Sequence, residues 1–293
     1  MAVVSGGEAR AFVEPEQGGN AGREFAFSEA DFRHLVQLAY KHAGISLSES
    51  KRNLLYSRLS RRLRILGIAT FGEYRELLES DQREIENFIN SISTNHTKFF
   101  REAHHFDHMR THIVVPFAQQ AAATGNRRLR IWSAGCSSGE EPYTIGVVLK
   151  REIRDFRGYD VRILATDIDT DVLAKAGRGE FASATVDEVP KTYAEYFKRA
   201  GDKVVVDPEV KSLIAFRQLN LMNEPWPFKG PFDAIFCRNV MIYFDGPTKA
   251  KLIQRFVQHI KPGGWLYIGH SESLIGSHPG LQSSGRTIYR RDD

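Results

Sequence analysis

The chain has 293 residues, 42% of them hydrophobic, and a formal charge of only +4, so it can bury a substantial core and is expected to divide into two domains. No apolar run approaches the ~20 residues of a membrane span, and no basic start followed by an apolar core opens the chain, which predicts a cytoplasmic protein that is not membrane-inserted. Its two cysteines, Cys136 and Cys237, fall in a candidate ligand loop and a candidate buried strand, so a structural disulfide is not expected.

Residues 1–24 are rich in Gly, Ala and Glu without periodicity and read as a disordered tail. Ser28 followed by Asp31, Phe32, Leu35, Val36, Ala39 and Tyr40 predicts a capped amphipathic helix. Ser46 and Glu49 have capping-box spacing ahead of a second helix. That helix, Lys51 to Leu66, carries Lys51, Arg52, Arg58, Arg61, Arg62 and Arg64 and no acid. Lys51, Arg58 and Arg62 form one stripe beside an apolar stripe of Leu55, Leu59, Leu63 and Leu66. One face would pack and its neighbour would dock an acidic partner. Nucleic acid is not the expected partner, because aromatics are not interleaved and no nucleic-acid module is recognisable. Short helices over Phe71–Leu78 and Ile85–Ile92 complete a helical N-terminal domain over 25–94.

Residues 95–126 are expected to form a lid segment and a linking helix. From Thr94 to Glu102 the chain mixes polar side chains with Phe99 and Phe100, and Arg101 could orient an acidic substrate. In the helix from about Ala103 to Ala123, His104, His108 and His112 share one face. The spacing invites zinc, but no carboxylate or cysteine completes a known set, and no metal is predicted.

The remainder, 127–293, alternates strand and helix as an α/β, doubly wound Rossmann-like domain. Strands are expected at Arg128–Trp132, Val161–Ala165, Asp233–Cys237, Trp265–Ile268 and Thr287–Tyr289, with helices near 141–153, 169–176 and 247–260. A small β-subdomain at about 185–218 interrupts it, with a helix at Thr192–Lys198 followed by extended segments at Lys203–Val206 and Leu213–Arg217 that flank a turn.

The stretch from Trp132 to Gly146, W-S-A-G-C-S-S-G-E-E-P-Y-T-I-G, joins strand to helix through a small-residue loop. Gly135 and Gly139 let a ligand lie close to the backbone at the positive end of a helix, where phosphate is the usual guest. Here Glu140 and Glu141 would repel a pyrophosphate and attract an ammonium or sulfonium group, although acidic residues also stabilise helix starts on their own. Gly135, Ser137 and Gly139 also spell G-x-S-x-G, but a hydrolase elbow needs strands before it, and 27–123 reads as helical. A dinucleotide fingerprint lacks glycine at Ser137 and Glu140. Asp167, ending the second strand, suits the ribose hydroxyls of an adenosine, while Asp169 suits a helix cap. Arg238 and Asn239 follow a strand end, with Tyr243 four residues beyond Asn239.

Five motifs in order then give a specific resemblance from Phe27 onward: T-N-H-T-K-F-F-R-E-A-H-H-F, S-A-G-C-S-S-G-E-E-P-Y, A-T-D-I-D-T, F-D-A-I-F-C-R-N-V-M-I-Y-F-D and G-H-S-E-S-L. The chain resembles a CheR-type chemotaxis receptor methyltransferase. The resemblance implies an all-α N-terminal domain before an S-adenosylmethionine-dependent methyltransferase domain with a β-subdomain. It implies methyl transfer to glutamates on the cytoplasmic methylation helices of chemoreceptors, giving S-adenosylhomocysteine as product. By motif position, Asn95, Thr97, Arg101, Gly135, Glu140 or Glu141, Asp167, Asn220, Leu221, Asn239 and Val240 would bind the cofactor. Arg101 and Tyr243 would border the reacting carboxylate, with Lys51, Arg58 and Arg62 docking the receptor. Many relatives bear a glycine-containing loop that binds a receptor C-terminal pentapeptide. Here only Arg199-Ala200-Gly201-Asp202-Lys203 stands at that place, so pentapeptide independence is expected. The rival from another class is a methyltransferase-like module that senses S-adenosylmethionine without transferring methyl.

Overall fold

Ser28 caps the first helix as its pattern requires: its hydroxyl accepts from the Asp31 amide, and the Asp31 carboxylate accepts from the Ser28 amide. The computed structural model describes residues 23–153, 155–228, 230–272, 274 and 279–293. The tail predicted over 1–24 thus falls outside the described residues except Arg23 and Glu24, which bond to Asn53 and Arg64. Helix α1 (Glu29–Ala43) packs with α2 (Arg52–Leu66), α3 (Phe71–Ser80) and α4 (Gln82–Ile92) around Phe32, Leu35, Leu59, Tyr74 and Phe88, all buried.

Ser46 is not the cap of α2. A 3-10 turn, Glu49–Lys51, precedes that helix, and the Ser46 amide instead donates to the Tyr243 carbonyl at 2.8 Å. The linker is drawn into contact between the two halves of the molecule and cannot also fold back as a cap. The linking helix runs as α5 (His104–Met109), a π-helical turn at Arg110–Val114, and α6 (Val115–Thr124). Pro116 lacks the amide that a regular α-ladder needs, and the wider turn just before it accommodates the defect.

The α/β half is built on β1 (Arg128–Ala134), α7 (Glu140–Glu152), β2 (Asp160–Asp167), α8 (Thr170–Arg178), β3 (Glu180–Ala182), β4 (Phe197–Ala200), β5 (Lys203–Val206), α9 (Pro208–Lys211), β6 (Ile214–Gln218), β7 (Phe232–Cys237), α10 (Gly246–His259), β8 (Ile260–Ile268), β9 (Leu281–Gly285) and β10 (Ile288–Arg291). The main sheet has the order β6-β2-β1-β7-β8-β10-β9, with its first five strands parallel and β10 pairing antiparallel with both β8 and β9. Strand order reverses at β1, which places the ligand crevice of an open α/β sheet beyond the C-terminal ends of β1, β2 and β7. One face is covered by α5, α6 and α7 and the other by α10, with Trp132 and Phe236 fully buried on opposite sides.

Three expectations for the insertion fail. Leu213–Arg217 does not flank a local turn: Ile214–Gln218 is β6, pairing in parallel with β2 from Ile163↔Ile214 to Asp167↔Gln218. A local pattern cannot show a parallel partner fifty residues earlier. The small sheet is β3-β5-β4, spanning 180–206 and not 185–218. The helix expected at Thr192–Lys198 is a 3-10 turn at Lys191–Tyr196, because Phe197 is taken into β4 opposite Val206 and against the buried Phe99.

Within the helical half, Glu84 is 3% exposed and accepts from two Arg62 nitrogens, Nε and Nη2, from the Tyr74 hydroxyl and from the Asn87 side-chain amide. Burial pushes its pKa up, but these donors, led by Arg62, hold it below the ordinary carboxylate value. A depressed folded pKa contributes stability that is complete above the unfolded value and is lost as pH falls through the folded one. Arg62→Ala is therefore expected to cost about 3 kcal/mol in urea unfolding at pH 7, and less as pH drops below about 4.5. A loss independent of pH would show that the pair is not what holds α2 to α4.

Candidate active site

Beyond β1, β2 and β7 lies a cavity of about 560 Å³, within the roughly 300–1,000 Å³ of small-ligand sites. It brings together Lys51, Asn95, Thr97, Arg101, Gly135, Glu141, Asp167, Asn220, Leu221, Asn239, Val240 and Tyr243. It does not include Glu140, Arg58 or Arg62.

The loop after β1 forms one wall. At φ +84°, Gly135 lies so close to Val240 that a Cβ would sit 2.2 Å from Val240 Cγ2. The Asp167 carboxylate closes the floor, accepting from the Ser137 amide at 2.8 Å and the Asp169 amide at 3.0 Å. Burial pushes the Asp167 pKa up and the Asp169 charge adds to this, while the backbone donors oppose it. Asp169 caps α8, accepting from the Asp171 and Val172 amides. It also receives the Asn95 side-chain nitrogen at 2.6 Å.

Of the paired glutamates, Glu141 faces the cavity, and Glu140 receives the Ser138 hydroxyl. Their expected joint selection of a cationic ligand needs correction. Glu141 accepts from Ser133 at 2.7 Å and from Arg238 at 3.0 Å, so its charge is balanced inside the protein. Burial raises the pKa of both glutamates, opposed at Glu141 mainly by Arg238. Net attraction for a cation falls to Asp167, which has no such counterion in contact among the described residues.

Arg238 does more than its place beyond a strand end, the one signal of it in the sequence, suggests. Its guanidinium, on the cavity wall, joins Glu141, the Arg101 carbonyl and Glu102 (3.5 Å), tying the lid to the sheet. Glu102 in turn contacts His270 at 3.1 Å. Against the push of burial, Arg238 and His270 hold the Glu102 pKa below its ordinary value.

The lid itself differs from expectation. Phe99 packs edge-on against Phe181 and Phe197, and Phe100 against Phe106 and Tyr193, so neither aromatic covers the cavity. Positive φ at Phe100 and Glu102, with the Phe100 amide donating to Thr144, directs these rings into the protein. The cavity side is polar: Thr94, Asn95, His96, Thr97 and Arg101. Arg101 donates to its own lid at the His96 carbonyl, and the Tyr243 hydroxyl reaches the Thr94 carbonyl at 3.4 Å.

Asn220 donates to the His42 carbonyl at 2.6 Å and accepts from the Met222 amide, so the helical half braces this wall. Of the basic stripe, only Lys51 reaches the cavity. Arg58 is spent on the carbonyls of Ile92 and Ser93 and the Thr94 hydroxyl, and Arg62 on Glu84. Each cation sits at the α2–α4 seam, where acceptors on α4 and just after it already claim it. Among the histidines, His108 stacks on His112 and bonds Tyr267, with burial lowering its pKa to about 4. His105, not predicted, is fully buried against Thr287.

This sheet order, with an acidic residue ending β2 and a close-approach glycine just after β1, defines an α/β domain built for an adenosine-bearing ligand. The model for the CheR methyltransferase SAM binding domain matches residues 95–289, and that for the CheR methyltransferase all-alpha domain matches 30–93. A probable chemotaxis protein methyltransferase of Rhizobium etli is 44% identical over 264 residues, covering 86% of this chain and 96% of that one. Chemotaxis protein methyltransferase 2 of Pseudomonas aeruginosa is 41% identical, covering 91% and 95%, and the Escherichia coli chemotaxis protein methyltransferase 42%, covering 90% and 91%. The chain belongs to the CheR family and is an S-adenosylmethionine-dependent methyltransferase of chemotaxis.

The residues present fit that cofactor: an uncompensated acid at Asp167, polar side chains at Asn95 and Asn220, and a cradle at Gly135 that a Cβ would fill. Gly135→Ala is accordingly expected to weaken S-adenosylhomocysteine binding by roughly ten- to a hundredfold in calorimetry, since a packed wall would have to move. Gly67→Ala is the control. Gly67 also has positive φ but nothing within 4 Å of a Cβ, so the change should cost about 1–2 kcal/mol of stability and leave affinity alone. Equal affinity in wild type and Gly135→Ala would remove Gly135 from the binding site.

Proposed function

We propose that this chain transfers the methyl group of S-adenosylmethionine to glutamate carboxylates on the cytoplasmic methylation helices of chemoreceptors, forming glutamate methyl esters. The observation that carries the reading is the placing of Arg101 and Tyr243 on the wall of the same cavity as Asp167 and Gly135. A guanidinium and a phenol are the pair to receive a carboxylate beside a cofactor site.

The chemistry asks little else of the chain. A glutamate carboxylate, with pKa near ~4.3, is ionised at neutral pH, so no general base is required. S-adenosylmethionine supplies an electrophilic methyl group when bound. Asn95, Thr97, Glu141, Asp167, Asn220, Leu221, Asn239 and Val240 hold the cofactor; Arg101 pairs with the acceptor carboxylate, and the Tyr243 hydroxyl donates to it. Both fix the acceptor's orientation, which is where a reaction of this kind gains rate. Lys51, exposed at the cavity, is the cation that meets the acidic receptor helix, in place of the stripe with Arg58 and Arg62. The β4–β5 hairpin carries only the short Gly201-Asp202 turn, which supports action without a receptor pentapeptide tether.

Incubation with methyl-labelled cofactor and receptor cytoplasmic fragments tests this reading. Base-labile methanol is expected from wild type, reduced about a hundredfold by Arg101→Ala and about tenfold by Tyr243→Phe. Fragments with and without the C-terminal pentapeptide should be methylated within about twofold of each other. No label on any glutamate overturns the assignment, and tight binding of the pentapeptide overturns the tether-free reading.

A further inference from the structure

We propose that Glu272 is a positioning residue of this site, its buried carboxylate fixing the loop that carries both the cofactor-side Asn239 and the acceptor-side Tyr243. The proposal rests on the methyltransferase reading of the cavity and adds a residue that does not itself line it.

Glu272 is 8% exposed and sits in a 3-10 turn, His270–Glu272, after β8. One oxygen, Oε2, accepts from the Asn239 amide at 2.7 Å and the Gly269 amide at 2.6 Å. The other, Oε1, accepts from the Ile242 amide at 3.1 Å. A single side chain thus spans the ends of β7 and β8 and gathers the first turn beyond β7. Neighbouring strands β7 and β8 are in register up to Cys237↔Ile268, so the carboxylate continues the ladder by side chain where the backbone pairing stops.

The loop it gathers needs such a hold. Asn239 has φ +60°, a conformation that most L residues avoid. Val240 follows, pressed against Gly135, and a 3-10 turn at Met241–Tyr243 turns the phenol towards the lid. Gly269 leaves no room for an alternative: a Cβ there would lie 2.5 Å from Asn239 Nδ2 and 2.7 Å from Glu272 Oε2. The carboxylate has no cationic partner among the described residues. Its hydrogen bonds are charge-assisted and all run to backbone amides, which is the arrangement for shaping a loop.

Substitution by Gln separates shape from mere presence. One amide oxygen can serve two of the three N–H groups, but the NH₂ group then faces the third donor, and the loop must move. Glu272→Gln is expected to weaken S-adenosylhomocysteine binding roughly tenfold and to lower methyl transfer to receptor fragments roughly a hundredfold at saturating cofactor. Glu272→Asp, keeping charge with shorter reach, should fall between Gln and wild type. The combined Asn239→Ala and Glu272→Gln variant should bind the product little worse than Asn239→Ala alone, because both changes act through one loop.

Each variant is compared at a temperature well below its melting transition, and affinity is expressed per folded protein. If Glu272→Gln is unfolded, the Asp variant and its cycle with Asn239→Ala carry the test. Wild-type affinity in the folded Gln or Asp variant, or strictly additive losses in the cycle, overturns the proposal. Product binding by wild type without label on any receptor would instead count against the receptor assignment, and the affinity series would still decide the role of Glu272.

Discussion

A buried guanidinium links the parts of this molecule that must meet for methyl transfer. Arg238 stands just past β7, is 6% exposed, and touches the start of α7 through Glu141 and the lid through the Arg101 carbonyl and Glu102. An isolated buried charge would be very costly, so the position is tolerable only while both carboxylates and the carbonyl stay in place. The ionic group therefore specifies an arrangement more than it adds stability. It requires the lid, which follows the helical half in sequence, to lie against the sheet whose crevice it borders.

The electrostatics of the cavity follow from that bond. Two adjacent glutamates after a glycine loop suggest a doubly negative mouth, yet one is turned to Ser138 and the other neutralised by Arg238. Among the described residues Asp167 has no cation in contact, while Arg101 and Lys51 bring positive charge to the same cavity. Such a division suits a ligand with a cationic centre and hydroxyls towards the sheet, and an anionic acceptor towards the lid and the helical half.

Much of this was legible in the sequence, for reasons that differ from one residue to the next. The capped helix at Ser28, the strand ending at Cys237 and the Asp169 cap are set by short-range chemistry and stand where the pattern puts them, while β2 runs two residues past its expected end to Asp167. Most of the cavity wall was legible because it sits at strand ends, where topology gathers residues distant in sequence. What failed depends on partners far along the chain. Ile214–Gln218 takes its place from a parallel strand beginning at Asp160, and Ser46 from the Tyr243 carbonyl. Arg58 and Arg62 look like a solvent-facing stripe by periodicity, but acceptors on α4 and just after it claim them. The lid aromatics looked like a cover for the ligand, and positive φ at Phe100 turns them into anchors on the β-subdomain. A period describes a face, and only the fold says what lies opposite it.

Arg238 holds the lid against the cofactor loop. Amide hydrogen exchange across 95–102 in wild type and in Arg238→Met tests it most directly, with α1–α4 as internal reference for a folded protein. Exchange of the wild-type lid amides is expected to be slow and to rise at least about tenfold in the variant, with the helical reference unchanged. Identical lid protection in the two proteins would contradict it.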